Sequence, residues 1–229
     1  MNDDFDVLQK TWNNYGKKQT YWSVITAPEY KDDKIEFTCE SFFLGGIKDI
    51  QTFENIANQY NRSLVDKNIL DFGCGVGRLS LALSRHAKSV LGVDISTGHL
   101  EKAEEHMISN NIENVNFKLI ESQLSDILTE KFDAIISLIV LQHNRPELMK
   151  SMIKQLLSFL NDDGFALLHI PYYIPNYTKK TGTTHVMEMH FLPIFEIDKL
   201  AQECGFLMKQ HSCDFCGGGI KNAIFYFSK

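Results

Sequence analysis

The stretch LDFGCGVGRLS, residues 70–80, decides the fold that we predict for this chain. The apolar strand KNILDF leads into it, a helix begins at its end, and a second strand, KSVLGVD, follows at 88–94. A strand, a glycine-rich turn, a helix and a strand in this order predict a βαβ unit with the turn at the carboxyl edge of a parallel sheet, where open α/β folds bind their ligands. The glycines allow positive φ angles and a close approach of the backbone to a ligand.

Further strands and helices alternate after this unit. Apolar strands are predicted at NVNFKLI (114–120), KFDAIISLIV (131–140) and FALLHI (165–170), with helices between them and a turn at NDDG (161–164). This alternation favours an α/β fold with a doubly wound, mostly parallel sheet and right-handed crossovers. The stretches FLMKQHSCD and KNAIFYFS are joined by a short link, so they are expected to be antiparallel.

The first 62 residues differ from the rest of the chain. Apolar residues recur there at helical spacing on both sides of an aromatic stretch, YWSVITAPEY (21–30), which is predicted to be a loop. We therefore predict two domains, an N-terminal helical and aromatic cap segment over residues 1–62 and an α/β domain over residues 63–229.

Composition and charge exclude several classes of function. The chain has 229 residues and a net charge of −6, which argues against a general nucleic-acid binder. Its longest nearly apolar run, residues 134–141, is far shorter than the ~20 residues of a membrane span. The acidic N-terminus MNDDFD is unlike a signal peptide, and five cysteines are an odd number. We expect a cytoplasmic protein with reduced thiols and no membrane insertion.

The acids beside the glycines indicate which nucleotide the turn can hold. A dinucleotide fingerprint needs a small residue where this chain has Arg78, and the carboxylate of Asp71 would repel a pyrophosphate. Asp94, at the end of the second strand, is placed to accept hydrogen bonds from two ribose hydroxyls. S-adenosylmethionine, with adenosine at one end and an amino acid at the other, fits both acids. The alternatives are a structural turn or another nucleotide.

At these residues the chain resembles the class I, Rossmann-like, S-adenosylmethionine-dependent methyltransferases. LDFGCGVGRLS is similar to the first motif of that family, and VLGVDIS is similar to its acidic strand end. KFDAIISLIVLQHN and LNDDGFALLHIP are similar to its fourth and fifth strands. The resemblance covers roughly residues 65–229, and it implies a seven-stranded sheet with the last strand antiparallel.

The resemblance also implies which residues bind the cofactor. The motif residues are expected to line the methionine moiety, with Asp71 near its ammonium; they are Gly73, Cys74, Gly75 and Gly77. Asp94 is expected to hold the ribose, Ile95 to pack on the adenine, and Ser137 to approach the sulfonium. Glu121, where the family more often has Asp, and Ser122 fall at the adenine edge. Tyr21 and Trp22 are expected to cover the cofactor; the alternative is that these two aromatics are hydrophobic anchors.

Histidines supply the candidates for acid–base chemistry. His143, in LQHN after the fourth strand, is predicted to be a general base for a hydroxyl acceptor, with orientation of the loop as the alternative. His169 lies in an apolar strand and is predicted to be a satisfied core histidine. His185, Glu188 and His190 lack the H-E-x-x-H spacing of a zinc site, so we expect them to close over the substrate, or to be solvated, rather than to bind a metal.

Two further groups of residues have predicted roles. His211, Cys213 and Cys216 form a single H-x-C-x-x-C, which is predicted to be a hairpin with free thiols. Residues of the N-terminal segment are expected to line the acceptor pocket; they are Phe42, Phe43, Gly45 and Gly46.

The stretch after the fourth strand bears on the methyl acceptor. The Asn-Pro-Pro-Tyr signature of methyltransferases that act on amide or nucleobase nitrogens is absent, and Ser137-Leu138-Ile139-Val140 stands in its place. We expect an enzyme that methylates a small molecule, most readily at oxygen, such as a saccharide or another biosynthetic intermediate. The alternatives are a non-catalytic S-adenosylmethionine-binding subunit and a nicotinamide-dependent oxidoreductase.

Overall fold

The structure, a computed structural model, describes residues 2–31, 33–178, 188–213 and 215–229. The strands within these ranges are β1 (Asn68–Phe72), β2 (Ser89–Asp94), β3 (Val115–Leu119), β4 (Phe132–Ser137), β5 (Leu160–Tyr173), β6 (Leu207–Cys213) and β7 (Lys221–Ser228). The α-helices are α1 (Asn2–Lys18), α2 (Thr20–Val24), α3 (Ile35–Asn58), α4 (Arg78–Leu83), α5 (Thr97–Ser109), α6 (Leu124–Ile127), α7 (Pro146–Ser158) and α8 (Ile194–Glu203). Short 3₁₀ helices lie at Pro28–Tyr30 and Leu141–His143.

The seven strands form one sheet in the order β3-β2-β1-β4-β5-β7-β6. Within it, β2 pairs in parallel with β1 and β3, and β4 pairs in parallel with β5. Strand β7 is antiparallel to both β5 and β6. The predicted α/β fold, with a mostly parallel seven-stranded sheet whose last strand is antiparallel and with helices at the N-terminus, is confirmed.

The chain divides into two compact units, residues 1–123 and 124–229. The first unit holds α1 to α5 with β1 to β3, and the second holds α6 to α8 with β4 to β7. The predicted boundary at residue 62, between a cap and an α/β domain, stays a prediction.

Close helix packing shapes the first unit. Helix α1 crosses the start of α5 where two glycines face each other, because a Cβ on Gly98 would lie 2.9 Å from the carbonyl carbon of Gly16. Helix α3 crosses α4 at Gly46, where a Cβ would lie 2.6 Å from the carbonyl oxygen of Arg78. Both crossings bring backbones so close that no side chain fits between them.

Two stretches of the first unit are more helical than predicted. Residues 21–24 of the stretch predicted to be a loop belong to α2. Helix α3 begins at Ile35, twelve residues before Ile47, where the apolar pattern that predicted this helix starts. Phe42 is buried in this early part of α3, so tertiary packing extends the helix beyond the limits that its sequence pattern indicates.

The second unit is built around β5, which is fourteen residues long. The strand begins at Leu160 and includes the NDDG stretch that was predicted to be a turn, and its register against β4 breaks between Phe132 and Ala134. Helix α8 follows Pro193 and ends before Gly205, whose left-handed φ of 76° is typical of a helix stop. No helix in the described part of the chain is long and apolar enough to cross a membrane.

Candidate functional site

The glycine turn connects the end of β1 to the start of α4. Gly73, Gly75 and Gly77 all have left-handed φ angles, of 74°, 54° and 76°. A Cβ on Gly75 would lie 2.9 Å from Val24 Cγ2, and one on Gly77 would lie 3.2 Å from the ring of Phe117. Backbone conformation and crowding therefore both require glycine here, and the turn presents its backbone rather than side chains to a ligand.

Asp94 and the glycine turn are joined directly by a hydrogen bond. The carboxylate of Asp94 accepts a hydrogen bond from Gly75 N–H at 2.9 Å through Oδ2 and one from Ser96 N–H at 2.9 Å through Oδ1. The side chain is buried. Because each carboxylate oxygen has two lone pairs, both can still accept a hydrogen bond from a ligand hydroxyl.

Asp71 lies at the end of β1 and is 1% exposed. Its Oδ2 accepts a hydrogen bond from Ser80 Oγ at 2.6 Å, which ties β1 to the first turn of α4. Burial raises the pKa of Asp71 to about 6, although the hydrogen bond from Ser80 and the charge of Arg78 oppose the rise. A cation close to this carboxylate would favour its ionised form.

The side chain of Cys74 points back into the sheet. Its Sγ lies 2.9 Å from where a Cβ on Gly92 of β2 would be, and burial raises the pKa of the thiol well above its usual range. The residue therefore stays a protonated thiol, and only its backbone faces outward from the turn.

Val24 is the residue of the N-terminal helices that touches the glycine turn. Tyr21, three residues earlier, is anchored elsewhere, because its hydroxyl lies 2.7 Å from His106 Nε2 and its ring packs edge-on against Phe42. Trp22 packs with Tyr15 at a centroid distance of 6.3 Å. These contacts favour the alternative that the two aromatics are anchors, and cofactor covering by Tyr21 and Trp22 stays a prediction.

Helix α1 is hydrogen-bonded to the segments that follow β2 and β3. Asn13 Oδ1 accepts from Thr97 N–H at 2.8 Å and from Thr97 Oγ1 at 3.0 Å, so it caps the start of α5. Ser96 Oγ donates to the carbonyl of Trp12, and Gln9 Nε2 donates to the carbonyl of Ile120. Sequence reasoning missed Gln9, Asn13 and Val24, because an isolated amide or valine carries no motif.

The predicted adenine-contact residues follow neighbouring strands. Ile95 comes directly after Asp94 and is half-buried, and the exposed Glu121 and Ser122 come after β3. Because β2 and β3 are parallel and in register from Val90 to Asp94, these residues emerge at the same edge of the sheet. Contact with an adenine stays a prediction for all three.

The expectation that part of α3 lines an acceptor pocket is not supported at two positions. Phe42 is 1% exposed and packs against Tyr21, with the Arg78 guanidinium 5.7 Å from its ring centroid. Gly46 is held against the backbone of Arg78. These two residues belong to the packing between α3 and α4. That Phe43 and Gly45 line an acceptor pocket stays a prediction.

In the second unit, the end of β4 carries a strained residue. Ser137 is buried at the end of the strand, and Ile139 has a φ of 61°, which is unusual for a β-branched side chain. Ile139 N–H donates to His169 Nδ1 at 3.4 Å, and His169 Nε2–H donates to Asn222 Oδ1 at 3.0 Å. His169 is therefore fully buried with both ring nitrogens bonded, and the prediction of a satisfied core histidine is confirmed.

His143 lies in the 3₁₀ helix that follows β4. Its Nδ1 lies 3.3 Å from the carbonyl oxygen of Glu188, and its Nε2 lies 3.4 Å from Gln142 Nε2. Because an amide nitrogen can only donate, Nε2 accepts and Nδ1 carries the proton. Burial lowers the pKa of His143 to about 4. The sequence argument assumed an ordinary imidazole pKa, so this side chain is neutral near pH 7 and a weaker base than expected.

The remaining candidates for metal or thiol chemistry lie in the same unit. Among the described residues, no group of three or more His, Cys, Asp or Glu side chains is placed to hold a metal ion, and His185 lies outside those residues. The cysteines form no disulfide within the described residues. The thiol of Cys213 donates to Asn222 Oδ1 at 3.1 Å, and that of Cys216 donates to Gln142 Oε1 at 3.6 Å.

Comparison with known proteins agrees with this geometry. A family model described as a methyltransferase domain matches residues 69–164. A solved magnesium protoporphyrin IX methyltransferase of Synechocystis with bound S-adenosylhomocysteine has the same fold, with a TM-score of 0.70 and 20% identity over 98% of this chain and 99% of that one. The chain belongs to the class I S-adenosylmethionine-dependent methyltransferases.

Curated relatives of this methyltransferase differ in what they methylate. A putative protein N5-glutamine methyltransferase of Methanocaldococcus jannaschii is 34% identical over 138 residues, which cover 56% of this chain and 66% of that protein. A ubiquinone biosynthesis O-methyltransferase of Pseudomonas putida is 35% identical over 82 residues, 35% of each chain. The match thus spans about two thirds of the first relative and about a third of the second.

The residues present fit the cofactor of this family, S-adenosylmethionine, as predicted from the sequence. The three glycines of the turn have left-handed φ angles and leave its backbone without side chains, and the buried carboxylate of Asp94, which can accept further hydrogen bonds, is bonded to this turn. The second acid, Asp71, is buried without an ion pair of its own in the described hydrogen-bond network and has a raised pKa, as expected of an acid near a cation site.

Proposed function

We propose that this methyltransferase transfers the methyl group of S-adenosylmethionine to an oxygen of a small-molecule acceptor. The observation that carries the proposal is the hydrogen bond from Gly75 N–H to Asp94 Oδ2, 2.9 Å long, which unites the two motifs of the cofactor site. It places a hydroxyl-accepting carboxylate next to a backbone turn that a ligand can approach closely.

In this proposal each cofactor residue has a defined task. The backbone of the turn receives the methionine moiety, with Asp71 near its ammonium; the residues are Gly73, Cys74, Gly75 and Gly77. Asp94 accepts hydrogen bonds from the ribose hydroxyls, and Ile95 packs on the adenine. Glu121 and Ser122 contact the adenine edge. Ser137, at the end of β4, approaches the sulfonium.

The chemistry requires positioning more than bond-breaking by the protein. The cofactor, when bound, supplies a methyl group already activated by its sulfonium. The chain's own residues hold and align the reactants, and such alignment contributes about 7–11 kcal/mol to lowering a barrier. His143 is the proposed base that takes the hydroxyl proton at Nε2, and its Nδ1–H bond to the Glu188 carbonyl holds the ring in place for that role.

A small oxygen acceptor, for instance a saccharide, is supported by the loop after β4. Ser137-Leu138-Ile139-Val140 lacks the signature of amide methylation, and Ile139 holds a backbone conformation that a proline cannot adopt. The net charge of −6 also argues against nucleic-acid acceptors. The relative from M. jannaschii, whose name specifies glutamine in a protein, favours a peptide amide as the second candidate acceptor.

Two further expectations are proposals of the same kind. Residues 1–62 act as a cap on the cofactor half of the protein, because α1 and α2 bond to the segments after β2 and β3 and Val24 touches the turn. The protein works in the cytoplasm, an assignment supported by its five cysteines, which form no disulfide in the described part of the chain.

A methyl-transfer assay tests the proposal. The protein is incubated with S-adenosylmethionine carrying a deuterated methyl group and with separate saccharide, phenol and glutamine-peptide acceptors, and products are analysed by mass spectrometry. Label on oxygen of a small molecule is the expected result. Label on the peptide amide would establish the second candidate, and cofactor binding without turnover on any acceptor would indicate a non-catalytic subunit.

A further inference from the structure

The segment 188–192 lies across the carboxyl ends of β4 and β5 in the second unit. His190 N–H donates to the carbonyl of Gln142, just after β4, at 2.7 Å, and Leu192 N–H donates to the carbonyl of Pro171, near the end of β5, at 3.1 Å. The carbonyl of Glu188 accepts from His143 Nδ1–H at 3.3 Å. This edge of a parallel pair is where open α/β folds bind ligands.

One ring nitrogen of His190 is buried with no hydrogen-bond partner in the described part of the chain. His190 is 4% exposed, and its Nε2 has no hydrogen-bond partner among the residues that the structure describes. Its other ring nitrogen, Nδ1, lies 2.7 Å from the hydroxyl of Tyr177. Buried polar atoms are rarely left unsatisfied in folded proteins, and an exception needs an explanation.

The hydroxyl of Tyr177 determines whether Nε2 of His190 is a hydrogen-bond donor or an acceptor. A phenol hydroxyl is a better donor than an imidazole N–H, and an imidazole nitrogen is a better acceptor than a phenol oxygen. Tyr177 therefore donates to Nδ1, which leaves the proton of the neutral ring on Nε2. Burial lowers the pKa of His190 and so keeps the ring neutral. The unsatisfied atom is then an N–H donor that needs an oxygen.

The surroundings of this donor suit a small ligand with hydroxyl groups. Tyr177 packs edge-on against Phe191 at a centroid distance of 5.0 Å and against the His190 ring at 6.0 Å, so the imidazole belongs to an aromatic cluster. Ile139, with its left-handed backbone, lies in the same loop after β4 as Gln142, which holds the His190 backbone. Strained residues cluster where a ligand is bound.

We propose that His190 recognises the methyl acceptor by donating its Nε2–H to a hydroxyl oxygen of that molecule, with Tyr177 as the positioning residue that fixes the ring. The inference rests on the proposed function and adds a recognition residue to it. A sugar and a phenol share the chemistry that this donor recognises, and the experiment separates the two.

The test follows the His190 ring by NMR in protein labelled with ¹⁵N-histidine and saturated with S-adenosylhomocysteine. The probes are catechol and methyl glucopyranoside, each added in turn. We expect a proton on Nε2 in the unliganded ring and a saturable shift of that signal with one of the two probes. His190→Phe should weaken binding of that probe about tenfold, the loss of one hydrogen bond. His190→Gln, which retains an N–H donor, should restore most of it.

Controls separate this inference from the proposed function. His211→Phe, a change of a histidine on β6, should leave probe binding unchanged. A proton on Nδ1 instead of Nε2, or no shift from either probe while S-adenosylhomocysteine remains bound, would overturn the inference alone. Failure of the wild-type protein to bind S-adenosylhomocysteine would overturn the proposed function and this inference with it.

Discussion

At the scale of single residues, the site is governed by two buried acids with different surroundings. Asp94 accepts hydrogen bonds from two backbone N–H groups, whereas Asp71 accepts its side-chain hydrogen bond from Ser80 in the first turn of α4. Burial raises the pKa of Asp71 to about 6. Ionisation of this buried carboxyl group near pH 7 therefore has a cost in stability.

Replacement of Asp71 by Asn should make stability less dependent on pH. The pKa of Asp71 in the folded protein, about 6, is above its ordinary value of 3.8, so the folded state binds more protons between these values. The wild type therefore loses stability as the pH rises from about 4 to about 6. Over this range Asp71→Asn should lose about 2 kcal/mol less than the wild type, because one proton changes stability by at most about 1.4 kcal/mol per pH unit.

Urea unfolding at a series of pH values measures this difference. Asp163→Asn, at an exposed position in β5, is the control and should follow the wild type. Parallel stability curves for Asp71→Asn and the wild type would show that Asp71 has an ordinary pKa.

Gly75→Ala should separate backbone strain from crowding in the glycine turn. Its φ of 54° strains an alanine by about 1–3 kcal/mol, and the new Cβ would also lie 2.9 Å from Val24 Cγ2. Gly205→Ala, with a φ of 76° and nothing within 4 Å, is the matched control for strain alone. The free energy of unfolding should fall further for Gly75→Ala, and Val24→Ala in that background should recover the excess. Equal losses at Gly75 and Gly205 would argue against contact between α2 and the turn.

His143 is neutral near pH 7, and its protonation state determines how methyl-transfer activity should depend on pH. Because burial lowers its pKa to about 4, a base at this position loses activity only as the pH falls through about 4. His143→Ala should reduce turnover roughly 10²–10⁴-fold and leave affinity for S-adenosylhomocysteine unchanged. Turnover is measured with the acceptor found by mass spectrometry, and His211→Ala is the control. A large loss of cofactor affinity would assign His143 a structural role instead.

At the scale of secondary-structure elements, the N-terminal helices are joined to the cofactor half by a few polar contacts. Asn13 of α1 supplies the acceptor for the first free N–H of α5, a cap donated by a distant part of the chain. Gly16 and Gly98 let the two helices approach closely enough for that bond. The start of α5 closely follows Asp94 and Ser96, so this packing also supports the segment that carries Asp94.

Asn13→Ala should loosen α1 without unfolding the protein. The change removes the acceptor of Thr97 N–H and Thr97 Oγ1, and loss of such a cap costs roughly 1 kcal/mol. Hydrogen exchange of backbone amides should become faster in α1 and in the first turn of α5. Asn58→Ala, an exposed change near the end of α3, should leave both unaffected. Unchanged exchange in α1 would mean that apolar packing alone holds the helix.

The same scale shows how far the sequence could predict the structure. Strands β1 to β4 and the glycine turn were predictable, because apolar periodicity and glycines in series are local signals. The start of α3, the short helix α2 and the first residues of β5 were not, since tertiary packing determines them. Val24 and Asn13 were missed because their contacts lie far away in sequence, whereas His190 was expected to close over the substrate.

At the scale of the whole molecule, this chain resembles methyltransferases that act on different acceptors. The seven-stranded sheet and the methyltransferase match over residues 69–164 define the cofactor chemistry. The segments after β4 and β5 are proposed to determine what is methylated, and the stretch after β4 lacks the amide-methylation signature. A net charge of −6 also favours small acceptors over nucleic acid.

Calorimetric titration with S-adenosylhomocysteine tests the central claim most directly, with NADH as the matched ligand and Asp94→Ala beside the wild type. Removal of a charged acceptor of ribose hydroxyls costs about 1.5–3 kcal/mol. We predict binding of S-adenosylhomocysteine alone, weakened roughly ten- to a hundredfold in the variant. Binding of NADH instead, or equal affinity of both proteins for S-adenosylhomocysteine, would contradict the account of the site.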